Sequence, residues 1–141
     1  MTDARELVVA GELREAARVL GRPFAVEGVV VEGDRRGKQL GFPTANLDLD
    51  NPGQILPPRG IYVGEALGHR AAVSIGVNPH YGGTVLRVEA HLLDFDGDLY
   101  GRRLVLELWE RLRDERAFAS EAELVEAIAA DVEAARRAIR P

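Results

Sequence analysis

Hydrophobic positions along the chain recur with two different periods. At the N-terminal end Leu13, Ala16, Ala17 and Leu20 return every three or four residues, the spacing of one helix face. Asp3 followed by Glu6 forms a capping-box pattern, in which the acidic side chains cover the first amide groups of a helix. Residues 3–20 therefore read as a short helical segment, which Gly11 divides into two helices and which Gly21 and Pro23 end. From Phe24 the period shortens to two. Residues 24–32 are rich in β-branched side chains and predict a strand.

A glycine-rich loop, 33–41, follows, then an extended stretch through Leu47, then a loop rich in Pro and Asp up to Gly60. Four further strands are predicted over 61–67, 70–76, 85–93 and 99–109. Asp94-Phe95-Asp96-Gly97-Asp98 joins the last two, and its Asp-Gly pair predicts a hairpin there. The helical period then returns. Ser120 and Glu123 form a second capping box, and Leu124, Ile128, Val132, Ala135 and Ile139 make one apolar stripe. Arg136, Arg137 and Arg140 sit where cations favour a helix C-terminus. The order is helix, five or six strands, helix: a mainly β chain, expected as a small antiparallel barrel with a helix packed on it.

Composition narrows the chemistry. A chain of 141 residues with 46% hydrophobic and 29% charged positions suits one globular domain. No apolar run approaches the roughly 18 residues of a membrane span, and the charged start Asp3-Ala4-Arg5-Glu6 lacks a secretion core, so a cytoplasmic location is expected. The absence of Cys excludes disulfides, zinc-thiolate sites and thiol nucleophiles. A formal net charge of −5 argues against nonspecific nucleic-acid binding.

Several segments carry candidate chemistry. Gly33, Gly37 and Gly41 enclose Lys38 in a loop whose amide groups could cradle phosphates; the alternative is a plain connecting loop. Its spacing fits neither a P-loop nor a dinucleotide fingerprint. Thr44 and Asn46 point the same way on an extended segment and are hard oxygen ligands of the kind Mg²⁺ takes; the alternative is a turn in which they bond their own backbone. In residues 85–93, Leu86, Val88, Ala90 and Leu92 alternate with Arg87, Glu89 and His91. Glu89 is a candidate general base, or one member of a solvated face. Arg113, Arg116 and Phe118 could grip a planar polar ligand, or form a solvated loop with one anchoring ring. Asp94, Asp96 and Asp98 do not match a calcium loop, and Ala72-Val73-Ser74-Ile75-Gly76 lacks the first glycine of a nucleophile elbow.

Taken in order, these segments resemble the riboflavin kinases of the ATP-dependent, bacterial and eukaryotic type over residues 21–140. The resemblance rests on Gly37-Lys38-Gln39-Leu40-Gly41-Phe42-Pro43-Thr44-Ala45-Asn46, on Ser74-Ile75-Gly76-Val77-Asn78-Pro79, and on Val88-Glu89-Ala90-His91-Leu92-Leu93-Asp94-Phe95 with Asp98-Leu99-Tyr100-Gly101. Leu112-Arg113 and Arg116-Ala117-Phe118 complete it. Val77 stands where the family often has Thr, and Arg116 where Lys is common.

The resemblance implies a six-stranded Greek-key barrel with a C-terminal helix, and the transfer of phosphate from ATP to the ribityl 5′-hydroxyl of riboflavin, giving FMN and ADP. It implies that Gly33 and Lys38 cover the ATP phosphates and that Thr44 and Asn46 hold Mg²⁺. Leu92, Asp94 and Tyr100 would surround adenine and ribose, and Glu89 would take the hydroxyl proton. Arg113, Arg116 and Phe118 would shape the flavin site. Residues 1–20 resemble the end of the adenylyltransferase module of bifunctional FAD synthetases, and 21–141 the kinase domain. FMN without FAD is therefore expected, with small-molecule partners, no nucleic acid, no membrane and no obligate protein partner. Two other readings compete: a flavin-binding module without catalysis, and a barrel that binds nucleic acid. The phosphate loop speaks against the first and the acidic balance against the second.

Overall fold

The computed structural model describes residues 3–31, 44–51, 53–77 and 86–141. Two helices come first, α1 (Ala4–Val9) and α2 (Leu13–Leu20). Asp3 Oδ1 accepts the Glu6 amide at 2.9 Å, and Gly21 ends α2 in a left-handed conformation, as their sequence signals predict. Six strands follow: β1 (Phe24–Val31), β2 (Ala45–Leu49), β3 (Gly60–Ala66), β4 (His69–Val77), β5 (Leu86–Leu92) and β6 (Arg103–Arg113). The last helix is α3 (Glu121–Arg137), where Ser120 Oγ accepts the Glu123 amide at 3.2 Å.

The strands close into an antiparallel barrel in the order β1-β2-β5-β4-β3-β6, with β6 returning to β1. Closure removes the exposed edges that an open sheet would offer to other chains. Alternate residues fill the interior: Val26, Val30, Leu47, Val73, Ile75, Val88, Ala90, Leu104, Leu106 and Leu108 are all buried in one cluster. Val8, Leu13 and Ala16 of the N-terminal helices join that same cluster. A second layer lies outside, where α3 covers part of the sheet and buries Val63, Leu93, Trp109 and Ala135. This is the expected six-stranded barrel with a C-terminal helix.

Three expectations are corrected. The Asp96-Gly97 hairpin does not form: β5 lies between β2 and β4, and β6 between β3 and β1. A two-residue turn of that type needs a positive φ at both central residues. Gly97 has φ 137°, but Asp96 is not among the residues with positive φ. Instead the Leu93 amide donates to Arg70 O at 2.8 Å and the Gly101 amide to Val30 O at 2.9 Å, so the segment carries the chain across the barrel. Its last strand consequently begins at Arg103 rather than 99.

The third correction concerns the stripe of α3. Val132 and Ala135 of that stripe pack on the sheet as expected, beside buried Ala127 and Asp131, but Ile139 lies beyond the helix, 77% exposed. The cause is the pull on the C-terminal residues. Arg140 makes a two-point ion pair with Glu107 at 3.0 and 2.9 Å, Arg14 donates to Ile139 O at 3.0 Å, and Arg70 to Ala138 O at 3.3 Å. These contacts turn the chain onto β6 after Arg137. Arg140 in turn holds the Glu107 carboxyl below the usual carboxylate range.

The two-residue turn that does form joins β3 to β4. Ala66 pairs with His69 across Leu67 and Gly68, whose φ values are 53° and 78°. Leucine is strained in that conformation, and Asn adopts it more readily. Leu67→Asn is expected to raise the unfolding free energy by about 1 kcal/mol, read from a denaturant midpoint. A lower midpoint would mean that the half-exposed leucine side chain outweighs its backbone.

Candidate functional site

Because Ala45, Leu47, Val88, Ala90, Val73 and Ile75 point into the core, the residues between them face outward. Asn46 on β2 is in register with Glu89 on β5, and Glu89 with Ser74 on β4. The three form a row across neighbouring strands. Asn46 is buried on this outer face and the Glu89 side chain is 15% exposed. Glu89 is thus a sheltered carboxylate rather than part of a solvated face. Arg87 Nε lies 3.2 Å from Glu89 Oε1 and orients it. Thr44, half-buried, stands two residues before Asn46 at the entry to β2.

A second carboxylate reaches the same row. Glu115, from the segment after β6, accepts from Ser74 Oγ at 3.5 Å and from Arg59 at 3.2 Å. It lies directly on β4 because Gly76 has no side chain: a Cβ there would stand 2.2 Å from Glu115 Oε1. Gly76 is in register with Arg87, so two acids and one base share neighbouring positions. Ser74 is in turn in register with Ile61 on β3, and Ile61 with Arg113 on β6. The row therefore leads around the barrel from Asn46 and Glu89 to Arg113, three strands beyond Glu89, or about 14 Å at one strand spacing each.

Arg113 is held from the other side. Its Nε and a terminal nitrogen donate to the two oxygens of Asp131 at 3.1 and 2.7 Å. Asp131 is the one charged residue on the buried face of α3, and its side chain is 10% exposed. Burial of a carboxylate is costly unless it is paired, and the two-point geometry satisfies both oxygens. The Phe118 ring lies against two guanidinium groups, with Arg116 Cζ 4.9 Å and Arg113 Cζ 5.8 Å from its centroid. Two of the three residues read from sequence as a planar-ligand site, Arg113 and Arg116, thus meet at the ring of the third, Phe118. Next to them Arg111 donates to Asp114 at 2.5 Å and to Arg59 O at 2.7 Å. Burial pushes the Tyr62 hydroxyl above its ordinary pKa, while nearby Arg111 works against that shift.

The remaining residues distribute as follows. The Leu92 side chain is inside the barrel, 5% exposed. Asp94 is exposed and makes a two-point pair with Arg136 at 2.8 and 3.4 Å, which holds its carboxyl below the usual range. Tyr100 is 63% exposed. The neighbouring Gly101 amide binds Val30 O, so Tyr100 stands beside the end of β1, where Val31 is in register with Asn46. Gly33 and Lys38 lie outside the described residues, as do Asn78 and Pro79. Among the described residues no cluster of three or more His, Asp or Glu has metal-binding proximity. A groove of about 380 Å³ between α1, α2 and residues 51–55 is lined by Arg5, Leu20, Phe24 and Gln54, and it does not include the row.

Sequence reasoning missed Asp131 and the pairing of Ser74 with Glu115. A signal for the first existed: an aspartate between Ala127 and Ala135, at helical spacing in an otherwise apolar stripe.

Residues 20–139 match the family described as flavokinase, or riboflavin kinase. A bifunctional riboflavin kinase/FMN adenylyltransferase of Pseudomonas fluorescens is 40% identical over 145 residues, covering 99% of this chain and 46% of the relative. The bifunctional protein of the same name from Escherichia coli K12 is 40% identical over 140 residues, covering 96% and 44%. The chain thus spans a little under half the length of these relatives. Among solved structures, a riboflavin kinase from Trypanosoma brucei superposes with a TM-score of 0.60 at 29% identity, covering 82% of this chain and 78% of that one. A Streptococcus pneumoniae structure named as a macrolide-efflux protein superposes with a TM-score of 0.89 at 34% identity, covering 96% of this chain and 46% of that one. Among the described residues no helix is long and apolar enough to cross a membrane.

Asp131→Asn leaves Arg113 without its counter-charge in a sheltered position. The variant is expected to lose about 2–3 kcal/mol of unfolding free energy, less than for a fully buried pair because Arg113 keeps some contact with water. Urea denaturation measures it, and an unchanged midpoint would mean that the pair contributes nothing to stability.

Proposed function

This chain belongs to the riboflavin kinase family, and we propose that it transfers the terminal phosphoryl group of ATP to the 5′-hydroxyl of riboflavin, with Mg²⁺, to give FMN and ADP. The observation that carries this reading is the row of Asn46 and Glu89. A sheltered carboxylate and a buried asparagine stand side by side on one face of the barrel. Phosphoryl transfer needs a group to receive the acceptor's proton and a hard-oxygen site beside it for a phosphate-bound cation.

Glu89 is the base in this reading. The hydroxyl oxygen forms its bond to the terminal phosphorus, the bond from phosphorus to the ADP oxygen breaks, and the hydroxyl proton passes to the Glu89 carboxylate. Arg87 fixes the direction of that carboxylate. Thr44 and Asn46 fit a Mg²⁺ ion by chemistry: a hydroxyl and an amide oxygen, two residues apart, that leave further positions to water and phosphate oxygens. Bound there, the cation would offset the negative charge on the phosphates during transfer. Gly33 and Lys38 would cover the phosphates. Asp94 and Tyr100 would border the nucleoside, and Leu92 could add only main-chain groups, since its side chain is in the core. Arg113, Arg116 and Phe118 would receive the flavin ring, which stacks on aromatic and guanidinium planes.

The same reading assigns the chain FMN synthesis without FAD synthesis, because residues 20–139, nearly all of the chain, match the kinase. It also assigns the chain to the cytoplasm, where ATP is available. Incubating the purified chain with riboflavin, ATP and Mg²⁺ is expected to yield FMN and no FAD, and a chelator is expected to abolish the product. Glu89→Gln is expected to lower kcat about a hundredfold or more and to change the riboflavin KM by only a few-fold. Near-normal turnover of that variant would contradict the role of Glu89. Flavin binding without FMN from the unaltered chain would favour a non-catalytic flavin module.

A further inference from the structure

Glu115 stands where a reacting flavin's side chain has to pass. Its carboxylate rests on β4 over the bare Cα of Gly76, and the Ser74 hydroxyl beside it is in register with Glu89 on the adjoining strand. On the other side the same row leads through Ile61 to Arg113, next to Phe118. A molecule with its ring at Phe118 and its terminal hydroxyl at Glu89 must lay its connecting chain across Ser74 and Glu115. In riboflavin that connection is a polyol bearing secondary hydroxyls.

We propose that Ser74 and Glu115 bind the secondary hydroxyls of the ribityl chain, and by doing so select the acceptor and align its terminal hydroxyl on Glu89. The inference rests on the kinase reading above. The chemistry suits it. A carboxylate accepts from several hydroxyls, and a serine hydroxyl both donates and accepts. The present partners are easily exchanged. The Ser74–Glu115 contact of 3.5 Å is at the long limit of a hydrogen bond. The Arg59–Glu115 pair is exposed on its arginine side, and such pairs hold weakly. Gly76 matters for the same reason: a side chain there would lift the carboxylate off the strand.

A site that hydrogen-bonds a substrate hydroxyl discriminates against an analogue lacking it, since its own polar groups are then left unpaired. The test compares riboflavin with its 10-(5-hydroxypentyl) analogue, which keeps the ring and the terminal hydroxyl and lacks the secondary hydroxyls. Unaltered protein is expected to favour riboflavin by about tenfold or more in kcat/KM. Glu115→Gln and Ser74→Ala are each expected to lower kcat/KM for riboflavin about five- to tenfold and to leave that for the analogue within about twofold. Turnover of the analogue thereby reports that each variant is folded. An equal loss for both acceptors, or no loss for either, overturns the proposal. Unaltered protein that phosphorylates both acceptors equally also overturns it while leaving the kinase reading intact. Unaltered protein that phosphorylates neither contradicts the kinase reading itself.

Discussion

A closed antiparallel barrel obliges every strand to send alternate side chains inward, and the outer face is whatever remains. Here the inward set is almost wholly aliphatic, from Val26 and Val30 through Leu47, Val73, Ile75, Val88 and Ala90 to Leu104, Leu106 and Leu108. A slip of one residue in any strand would exchange core for solvent face, so this set pins the register. Register in turn brings Asn46, Glu89 and Ser74 side by side on three different strands. The candidate site is therefore a consequence of core packing on the opposite face of the same sheet, which is why rigid strands rather than loops carry Asn46 and Glu89.

The outer face is not uniform. One part is covered by α3, which shelters Trp109 and Val63. The uncovered part carries the polar row. Asp131 and Arg113 stand at the border between the two, and their ion pair ties the segment bearing Glu115, Arg116 and Phe118 to the helix. A flavin ring and a phosphoryl acceptor would be held by different parts of the fold, one by this tethered segment and one by β2 and β5. The barrel wall between them sets their separation. Transfer chemistry gains from fixed positions of this kind, because most of the barrier reduction comes from orientation and charge.

Much of this was legible in the sequence, for identifiable reasons. Both N-cap signals act within a few residues, and each cap side chain accepts the amide three residues on. The alternation of Leu86, Val88, Ala90 and Leu92 with Arg87, Glu89 and His91 reports strand faces directly from Val88 onward, while Leu86 at the strand's start is 46% exposed. Strand order was less legible, because it depends on pairings distant in sequence. The Asp96-Gly97 signal gave a hairpin between two strands that are not neighbours, while the true two-residue turn carries Leu67, a residue without turn preference. The end of α3 is not legible locally because the pull of Glu107 on Arg140 comes from 33 positions away. The meeting of Ser74 with Glu115 was likewise invisible: it arises only when β4 and the end of β6 are brought together across β3.

The central claim is that the phosphate-bound cation and the acceptor meet on the outer face of β2 and β5. Backbone amide spectra of the isotopically labelled chain with FMN and ADP, titrated with Mn²⁺ in place of Mg²⁺, test this most directly. The account predicts that signal loss from the paramagnetic ion centres on Thr44, Ala45 and Asn46 and reaches β5 around Glu89, with the amides of α1 and α2 retained. Signal loss centred on another part of the molecule, with the amides of Thr44 to Asn46 unaffected, would contradict it.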